Sequence, residues 1–277
     1  MPERTSVTLN FVELGSGTPV LALHGWTPDH RLMLGCLEPV FAKRPGYRRL
    51  YPDLPGMGKS PAPSSIASSD DVLDALQDFV DDTIGDEPFL LIGESYGGYL
   101  SRGLVRARAQ QVLGLALICP AGNNLEKAER TVPERQVLRP DPELLDSLDD
   151  DRLAQEFADG AVVQTLDTLR RFRDEILAGL DLADTAAMAR IKERWELAEH
   201  PPEGDGQFDR SSLILTGRQD DSAGYVEQFA LLPHYPRATY AVLDVAGHNL
   251  QIEQPALFDA LTLEWLDRVA AESGREG

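Results

Sequence analysis

The chain contains 277 residues, of which 42% are hydrophobic, and its formal net charge at pH 7 is −20. This length and this hydrophobic content predict one large folded domain, with or without an insertion, and exclude a disordered chain. Because the charge is strongly negative, neither nucleic acid nor an anionic membrane surface is expected as a partner.

Two features predict the cellular compartment. The two cysteines, Cys36 and Cys119, lie far apart in sequence, which excludes a disulfide framework and favours the reducing cytoplasm. Residues 1–6 lack the apolar stretch of a signal peptide, and no apolar run approaches the length of a membrane span. We therefore expect a cytoplasmic protein that does not associate with membranes.

Predicted strands and predicted helices alternate up to residue 120. Short apolar runs bounded by glycine or proline are typical of strands, and they occur at residues 7–14, 20–23, 47–51, 88–92 and 113–119. Helical spacing occurs at 29–41, in a segment capped by Ser69-Asp70-Asp71, and after residue 97. This alternation predicts an α/β fold with a mostly parallel sheet that helices cover on both faces.

The alternation stops between residues 123 and 205. This segment contains no strand pattern, and its apolar residues recur at helical spacing, as at Leu169, Phe172 and Ile176. We therefore predict a helical cap insertion over 123–205, within a core formed by residues 1–122 and 206–277. Phe172 and Trp195 are expected to pack inside the cap rather than to line a pocket.

Strand and helix patterns resume after the insertion. Strands are predicted at 213–215 and 239–245, with a helix at 224–232 between them. A last helix is expected to begin near Pro255, because proline suits the first position of a helix.

One short motif is similar to a nucleotide-binding loop but lacks what that function requires. The Gly-Lys-Ser sequence at 58–60 would end such a loop, which needs a glycine five residues before its second glycine. Asp53 stands at that position, and Pro61 and Pro63 occupy the place of the helix that should follow. Nucleotide binding is therefore excluded here, and Asp53 is expected to close its loop by hydrogen bonds.

Residues 93–97, Gly-Glu-Ser-Tyr-Gly, carry the strongest functional signal in the chain. They lie between the predicted strand 88–92 and a predicted helix. A G-x-S-x-G sequence in that context is typical of a sharp turn that exposes a strained nucleophilic serine, here Ser95. The flanking glycines are needed because a Cβ there would collide with the neighbouring strand or helix.

Three polar side chains follow the ends of predicted strands: Ser95, Asp220 and His248. The ends of parallel strands meet at one edge of a sheet, where folds of this kind bind their ligands. A serine needs a base to take its proton, and a histidine suits that role near neutral pH. The histidine in turn needs a carboxylate that fixes its tautomer and stabilises its cation. The order Ser-Asp-His along the chain is the one expected in this architecture.

The chain resembles the α/β-hydrolase superfamily over nearly its whole length. The matching pieces occur in the expected order at 24–26, 53–60, 93–98, 217–220 and 247–248. The resemblance implies about eight strands, with a helical cap inserted before the strand that bears Asp220. It also implies an oxyanion hole formed by the backbone N–H groups of Trp26 and Tyr96. His24 matches a structural histidine of the family.

The resemblance also bears on which aspartate completes the site. The family pattern Gly-x-x-Asp, counted from Gly217, gives Asp220 rather than its neighbour Asp221. Some relatives carry the acid after an earlier strand, but the corresponding loop 120–124 contains no carboxylate here.

We therefore predict a capped serine hydrolase that cleaves a small ester by acyl transfer to water. Ser95 is expected to attack the acyl carbon, His248 to act as base and then as acid, and Asp220 to orient His248. No cofactor and no metal are expected, because spacings such as H-E-x-x-H and C-x-x-C are absent from the sequence. A serine at position 95 argues against the haloalkane dehalogenases and epoxide hydrolases, whose nucleophile is an aspartate.

Other functions use the same arrangement and stay open at this point. A proline-iminopeptidase-like amidase, a carbon–carbon bond hydrolase and a cofactor-free peroxidase would each keep the triad. Proline iminopeptidases more often carry tryptophan where this chain has Tyr96. A ligand-binding receptor with slow turnover would also keep the triad. In each case the partner is a small molecule, and the sequence carries no signal for an oligomeric state.

Overall fold

The computed structural model describes residues 7–274, so the interpretation of residues 1–6 lies outside the described chain, as do residues 275–277. A seven-stranded sheet forms the centre of the described part. The strands are β1 (Phe11–Gly15), β2 (Thr18–Leu23), β3 (Tyr47–Pro52), β4 (Phe89–Glu94), β5 (Val112–Ile118), β6 (Ser212–Gly217) and β7 (Ala238–Leu243). Their order across the sheet is β1-β3-β2-β4-β5-β6-β7.

The sheet is mostly parallel, as predicted. β1 runs antiparallel to β3, and every other neighbouring pair is parallel. The strand number implied by the family resemblance was about eight, whereas residues 7–274 form seven. All six residues of the central strand β4 are buried, because helices cover both of its faces.

The first strand is shorter than the predicted 7–14, since β1 begins at Phe11. Asn10 makes its backbone hydrogen bonds outside the sheet. Its N–H donates to Ser60 Oγ at 2.9 Å, and its carbonyl accepts from Asp53 N–H at 2.8 Å. The loop that contains Asp53 and Ser60 thus takes the bonds that a neighbouring strand would otherwise make.

Helices lie on both faces of the sheet, which confirms the predicted layering. The helices are α1 (His30–Phe41), α2 (Ser69–Thr83), α3 (Ser95–Arg108), α4 (Pro142–Asp146), α5 (Asp151–Gly160), α6 (Leu166–Arg171), α7 (Ala178–Leu180), α8 (Thr185–Lys192), α9 (Val226–Phe229), α10 (Leu250–Glu253) and α11 (Pro255–Ser273). Buried residues of α1 and α11 pack on one face, and those of α2 and α3 pack on the other. Within residues 7–274, no helix combines the length and the apolar character that crossing a bilayer requires.

The N-terminal cap of α2 is one residue earlier than predicted. Ser68 is the N-cap, and its Oγ accepts from Asp71 N–H at 3.1 Å. Ser69, the predicted cap, is the first helical residue, and its hydroxyl donates to the Trp195 carbonyl at 2.5 Å. Adjacent serines suit an N-cap equally well, so only the tertiary contact distinguishes them.

Residues 123–205 carry the helices α4 to α8, which are joined by loops and turns. A π-helical turn at Phe172–Leu177 joins α6 to α7 without a break. The segment has an apolar cluster of its own, which includes Leu153, Phe157, Leu169, Phe172 and Ile176. Leu32 of α1 and Ile252 of α10 belong to the same cluster, so the segment packs directly on the sheet-containing core.

The helix predicted at 224–232 is interrupted. α9 covers only Val226–Phe229, and a 3₁₀ turn follows at Leu232–His234. Pro233 has no backbone N–H to donate, and its ring prevents an α-helix from continuing through this turn. By contrast, α11 begins at Pro255, in agreement with the prediction.

Candidate active site

Ser95 lies on the sharp turn between β4 and α3. Its φ of 50° is left-handed, a conformation that costs a residue with a side chain roughly 1–3 kcal/mol. A Cβ on Gly93 would clash with the Gly97 carbonyl, and a Cβ on Gly97 would clash with the backbone of β2. The two glycines therefore allow strand, turn and helix to approach closely enough to hold Ser95 in this conformation.

The structure brings the three predicted side chains together in one chain of hydrogen bonds. Ser95 Oγ lies 3.0 Å from His248 Nε2, and His248 Nδ1 lies 3.0 Å from Asp220 Oδ2. The other oxygen of Asp220 accepts from the N–H groups of Ser222 and Ala223, both at 2.9 Å. This geometry suits proton transfer from Ser95 to His248.

Asp221 lies away from this chain of hydrogen bonds. Its side chain is 31% exposed, and its Oδ2 is 3.7 Å from the guanidinium of Arg135. The Asp220 side chain, by contrast, is completely buried beside His248. The structure thus separates the roles that the two adjacent aspartates can take.

Asp220 and His248 stabilise each other's charged forms. Burial raises the pKa of Asp220, but the charge and hydrogen bond of His248 outweigh burial, so this pKa is lowered overall. Burial lowers the pKa of His248, but the charge and hydrogen bond of Asp220 and the charge of Glu94 raise it to about 9. The site therefore stabilises an imidazolium, which is the form His248 takes after it accepts a proton.

Trp26 and Tyr96, the predicted oxyanion donors, are neighbours at this edge of the sheet. Their rings meet edge to face with centroids 5.1 Å apart. Tyr96 is the second residue of α3, and N–H groups in the first turn of a helix have no acceptor within the helix. Trp195 completes an aromatic cluster, with its ring stacked on Tyr96 at 4.7 Å and perpendicular to Trp26 at 4.2 Å.

A cavity of about 300 Å³ opens at Ser95 and His248. It is lined by Gly25, Trp26, Thr27, Pro28, Leu32, Glu94, Ser95, Glu156, Asp159, Gly160, Phe172, Ile176, Leu180, His248 and Asn249. Carboxylates are the only charged groups in this lining besides His248, and none of these described residues is lysine or arginine. Six of the lining residues belong to the segment 123–205, including Phe172, which packs in the apolar cluster as well.

His24 and Asp53 make hydrogen bonds that fix the loops around the site. His24 is buried, its Nδ1–H donates to the Gly25 carbonyl at 2.8 Å, and its Nε2 accepts from Leu54 N–H at 2.9 Å. Burial lowers the pKa of His24, so it serves as a neutral structural link. Asp53 accepts from the Asn10 amide and from the N–H groups of His30 and Lys59, which closes its loop.

Sequence reasoning missed two carboxylates next to the site. Glu94 is only 2% exposed, lines the cavity and places Oε1 3.4 Å from His248 Nε2. Glu253 accepts from Val162 N–H at 2.6 Å and from Gly247 N–H at 2.5 Å, so it joins the segment 123–205 to the loop of His248. Glu94 occupies the x position before the serine in the G-x-S-x-G motif, and the motif does not predict where the side chain at that position points.

Among residues 7–274, two groups of side chains have the composition of metal ligands. One contains Cys119, Asp220 and His248, and the other contains Asp29, His30 and Asp53. In both groups the carboxylates already accept several hydrogen bonds, from His248 and two N–H groups in the first and from Arg31 and His30 in the second. These donors use the lone pairs that a metal ion would need.

Comparison with known proteins assigns the chain to a family. The sequence profile of the Alpha/beta hydrolase family matches residues 20–261. The chain therefore belongs to this family.

The chain is also similar to individual proteins over most of its length. The chain is 28% identical over 266 residues to the dihydrolipoyllysine-residue acetyltransferase component of an acetoin cleaving system from Cupriavidus necator; the match covers 92% of this chain but only 65% of that protein. It is 26% identical to a 2-hydroxymuconate semialdehyde hydrolase from a Pseudomonas species, over 94% of this chain and 90% of the relative. An α/β superfamily hydrolase from Oenococcus oeni superposes with a TM-score of 0.88 and 27% identity, over 95% of this chain and 96% of that structure.

Proposed function

We propose that the protein is a serine hydrolase that cleaves a small, uncharged ester through an acyl-enzyme. The observation that carries the proposal is the unbroken series from Ser95 Oγ to His248 at 3.0 Å and from His248 to Asp220 at 3.0 Å. A nucleophile within hydrogen-bond reach of a base, with the base oriented by a buried acid, is the arrangement that acyl transfer requires.

The reaction follows from the positions of these groups. His248 Nε2 takes the proton of Ser95 as Oγ attacks the acyl carbon, and Asp220 stabilises the imidazolium. Collapse of the tetrahedral intermediate breaks the ester bond, and His248 returns its proton to the leaving alkoxide. Water, deprotonated by His248, then attacks the acyl-enzyme, and His248 returns that proton to Ser95 Oγ as the acid product leaves.

The backbone N–H groups of Trp26 and Tyr96 are assigned to the oxyanion. The support for Tyr96 is its position in the first turn of α3, where an N–H has no acceptor within the helix and the helix dipole favours negative charge. Trp26 lines the same cavity as Ser95. Losing one such donor typically removes about 3 kcal/mol of transition-state stabilisation.

We assign residues 123–205 to a cap that determines which acyl groups are accepted. The support for this role is that Glu156, Phe172, Ile176 and Leu180 of this segment line the cavity. The cavity volume of about 300 Å³ is at the low end for small-molecule sites. Because its lining bears carboxylates and no lysine or arginine, an ester with its own negative charge would meet repulsion.

We also propose a reducing compartment, the cytoplasm, as the location of the protein. Cys36 and Cys119 are both buried and unpaired, a state that reducing conditions maintain.

The test is active-site labelling combined with a panel of substrates. A fluorophosphonate should label the protein once, at Ser95, and Ser95→Ala should abolish both labelling and turnover. Neutral chromogenic esters should be hydrolysed faster than amino-acyl amides and faster than matched esters that carry a carboxylate. Labelling that persists in Ser95→Ala, or ligand binding without turnover of any ester, would show that the proposed function is wrong.

A further inference from the structure

The residue before the nucleophile, Glu94, is a buried carboxylate whose position the reaction above does not explain. It is the N-cap residue of α3, yet its side chain makes no capping hydrogen bond. Its side chain is 3% exposed, and Oε1 lies 3.4 Å from His248 Nε2. Glu94 also accepts a hydrogen bond from the backbone N–H of Gly25. The carboxylate is thus directed into the site rather than toward its own helix.

The neighbouring loop leaves room for this carboxylate. A Cβ on Gly25 would overlap Glu94 Oε2 and lie 3.0 Å from Ser95 Cβ. Any side chain at position 25 would therefore displace Glu94 or Ser95. The close approach of the two segments fixes Glu94 beside the same imidazole nitrogen that faces Ser95 Oγ.

Charged groups reach His248 from several elements. Asp220, after β6, contacts Nδ1 at 3.0 Å, and Glu94, at the end of β4, faces Nε2. Arg130 opposes them with a positive charge. Cys119, after β5, stays a neutral thiol because burial raises its pKa well above the usual value. Two carboxylates therefore hold one imidazole between them.

We propose that Glu94 is a positioning residue that, together with Asp220, holds His248 between two carboxylates and so sets the pH range in which His248 can accept the proton of Ser95. The proposal rests on the proposed function, since it concerns the same histidine. Burial raises the pKa of Glu94 to about 7, although the charge of His248 works in the opposite direction. Glu94 is therefore ionised above neutral pH, where its charge adds to that of Asp220.

The ionised Glu94 affects the reaction in two opposite ways. It holds a proton on His248 Nε2, which delays the appearance of the free base as the pH rises. It also stabilises the imidazolium that forms when Ser95 attacks. Removing only the charge should therefore move the acidic limb of the pH profile to lower pH and lower the plateau. A nearby opposite charge typically shifts a pKa by about 1–3 units.

The kinetic test compares wild type with Glu94→Gln and with a matched control, Glu38→Gln. Glutamine keeps the size of Glu94 and can still accept from Gly25 N–H. Glu38 is a half-buried carboxylate on α1, outside the cavity, and it accepts hydrogen bonds from Arg49 and Tyr51 of β3. For a neutral ester, the acidic limb of kcat/KM should move down by about one pH unit or more in E94Q and should coincide with wild type in E38Q. A limb that stays in place or moves up in E94Q would overturn the inference.

Histidine NMR gives a readout that does not depend on turnover. The chain has five histidines, so the His248 resonance is assigned by its absence from His248→Gln. Its titration midpoint should lie near 9 in the wild type and fall by about one unit or more in E94Q. Glu94→Met, which replaces the carboxylate with an apolar side chain of similar length, should give the same downward shift and serves if E94Q does not fold. A midpoint near 6.5 in the wild type, or equal midpoints in wild type and variant, would overturn the inference.

Failure of this inference differs from failure of the proposed function. If Ser95→Ala is inactive and unlabelled while the E94Q profile matches wild type, only the role of Glu94 is wrong. If Ser95→Ala keeps its activity, the nucleophile itself is wrong, whatever E94Q does.

Discussion

Asp220→Asn offers the sharpest test of the site, because the structure shows what the new amide would do. Asp220 Oδ1 accepts from the N–H groups of Ser222 and Ala223, and the amide oxygen would take over these bonds. The amide NH₂ would then face His248 Nδ1 and donate to it. His248 would be forced into the tautomer with its proton on Nε2, so it could not accept the proton of Ser95.

The expected loss in kcat is about 10⁴-fold, or roughly 5.5 kcal/mol of transition-state stabilisation. The fold should tolerate the change. Two hydrogen bonds to a carboxylate become bonds to a neutral amide, which costs less than about 3 kcal/mol of a typical stability of roughly 5–15 kcal/mol. The variant should therefore melt as a folded protein while steady-state ester hydrolysis nearly disappears.

Asp221→Asn is the matched control, one residue away and with the same change of charge. Asp221 is partly exposed and lies 3.7 Å from Arg135, so its loss should leave most of the activity intact. An Asp220→Asn enzyme that hydrolyses ester at a tenth of the wild-type rate or more would refute the reasoning. So would a folded Asp221→Asn enzyme that has lost its activity.

Three further predictions follow from other contacts. Glu203 is the counter-charge of the completely buried Arg102 guanidinium. Glu203→Gln should therefore lower the free energy of unfolding, measured by urea titration, by about 3–5 kcal/mol. An unchanged denaturation midpoint would contradict this. Burial raises the pKa of Asp53, but its hydrogen bonds outweigh burial, so this pKa is lowered overall. The ionised Asp53 therefore stabilises the fold above about pH 4, and this contribution is lost as the pH falls further. Between pH 5 and about pH 2, the free energy of unfolding should fall more in the wild type than in Asp53→Asn. Because Phe172 lines the cavity, Phe172→Ala should raise kcat/KM for esters with longer acyl chains relative to acetate esters. Labelling by fluorophosphonate should persist in this variant. Equal changes in kcat/KM for all esters would show that the proposed cap does not select among acyl groups.

The elements that sequence predicted well are those that local pattern determines. Ser95 was predicted to lie on a sharp turn because an apolar run, two glycines and a helix pattern occur together around it, and the structure has this turn. Asp220 and His248 were predicted as site residues because each follows a predicted strand, and strands β4, β6 and β7 end at the same edge of one parallel sheet. Such positions depend on the order of the strands along the chain and on their direction, and both can be predicted from the sequence.

The features that sequence missed depend on distant contacts. The true start of β1 is set by hydrogen bonds between Asn10 and a loop more than forty residues away. The position of Glu94 beside His248 depends on Gly25, which lies in a different loop. A pattern in one segment cannot report where a side chain will meet another segment.

The aromatic cluster of Trp26, Tyr96 and Trp195 gives the protein a built-in optical signal. The chain has three tryptophans, and Trp265 lies completely buried under the sheet. The other two touch each other with ring centroids 4.2 Å apart, one from the core and one from the segment 123–205. At that separation their electronic transitions can couple, so we expect the pair to contribute to the aromatic circular dichroism of the folded chain. Because Trp26 also lines the cavity, we expect this contribution to change when a ligand enters the cavity or when the segment moves away from the core.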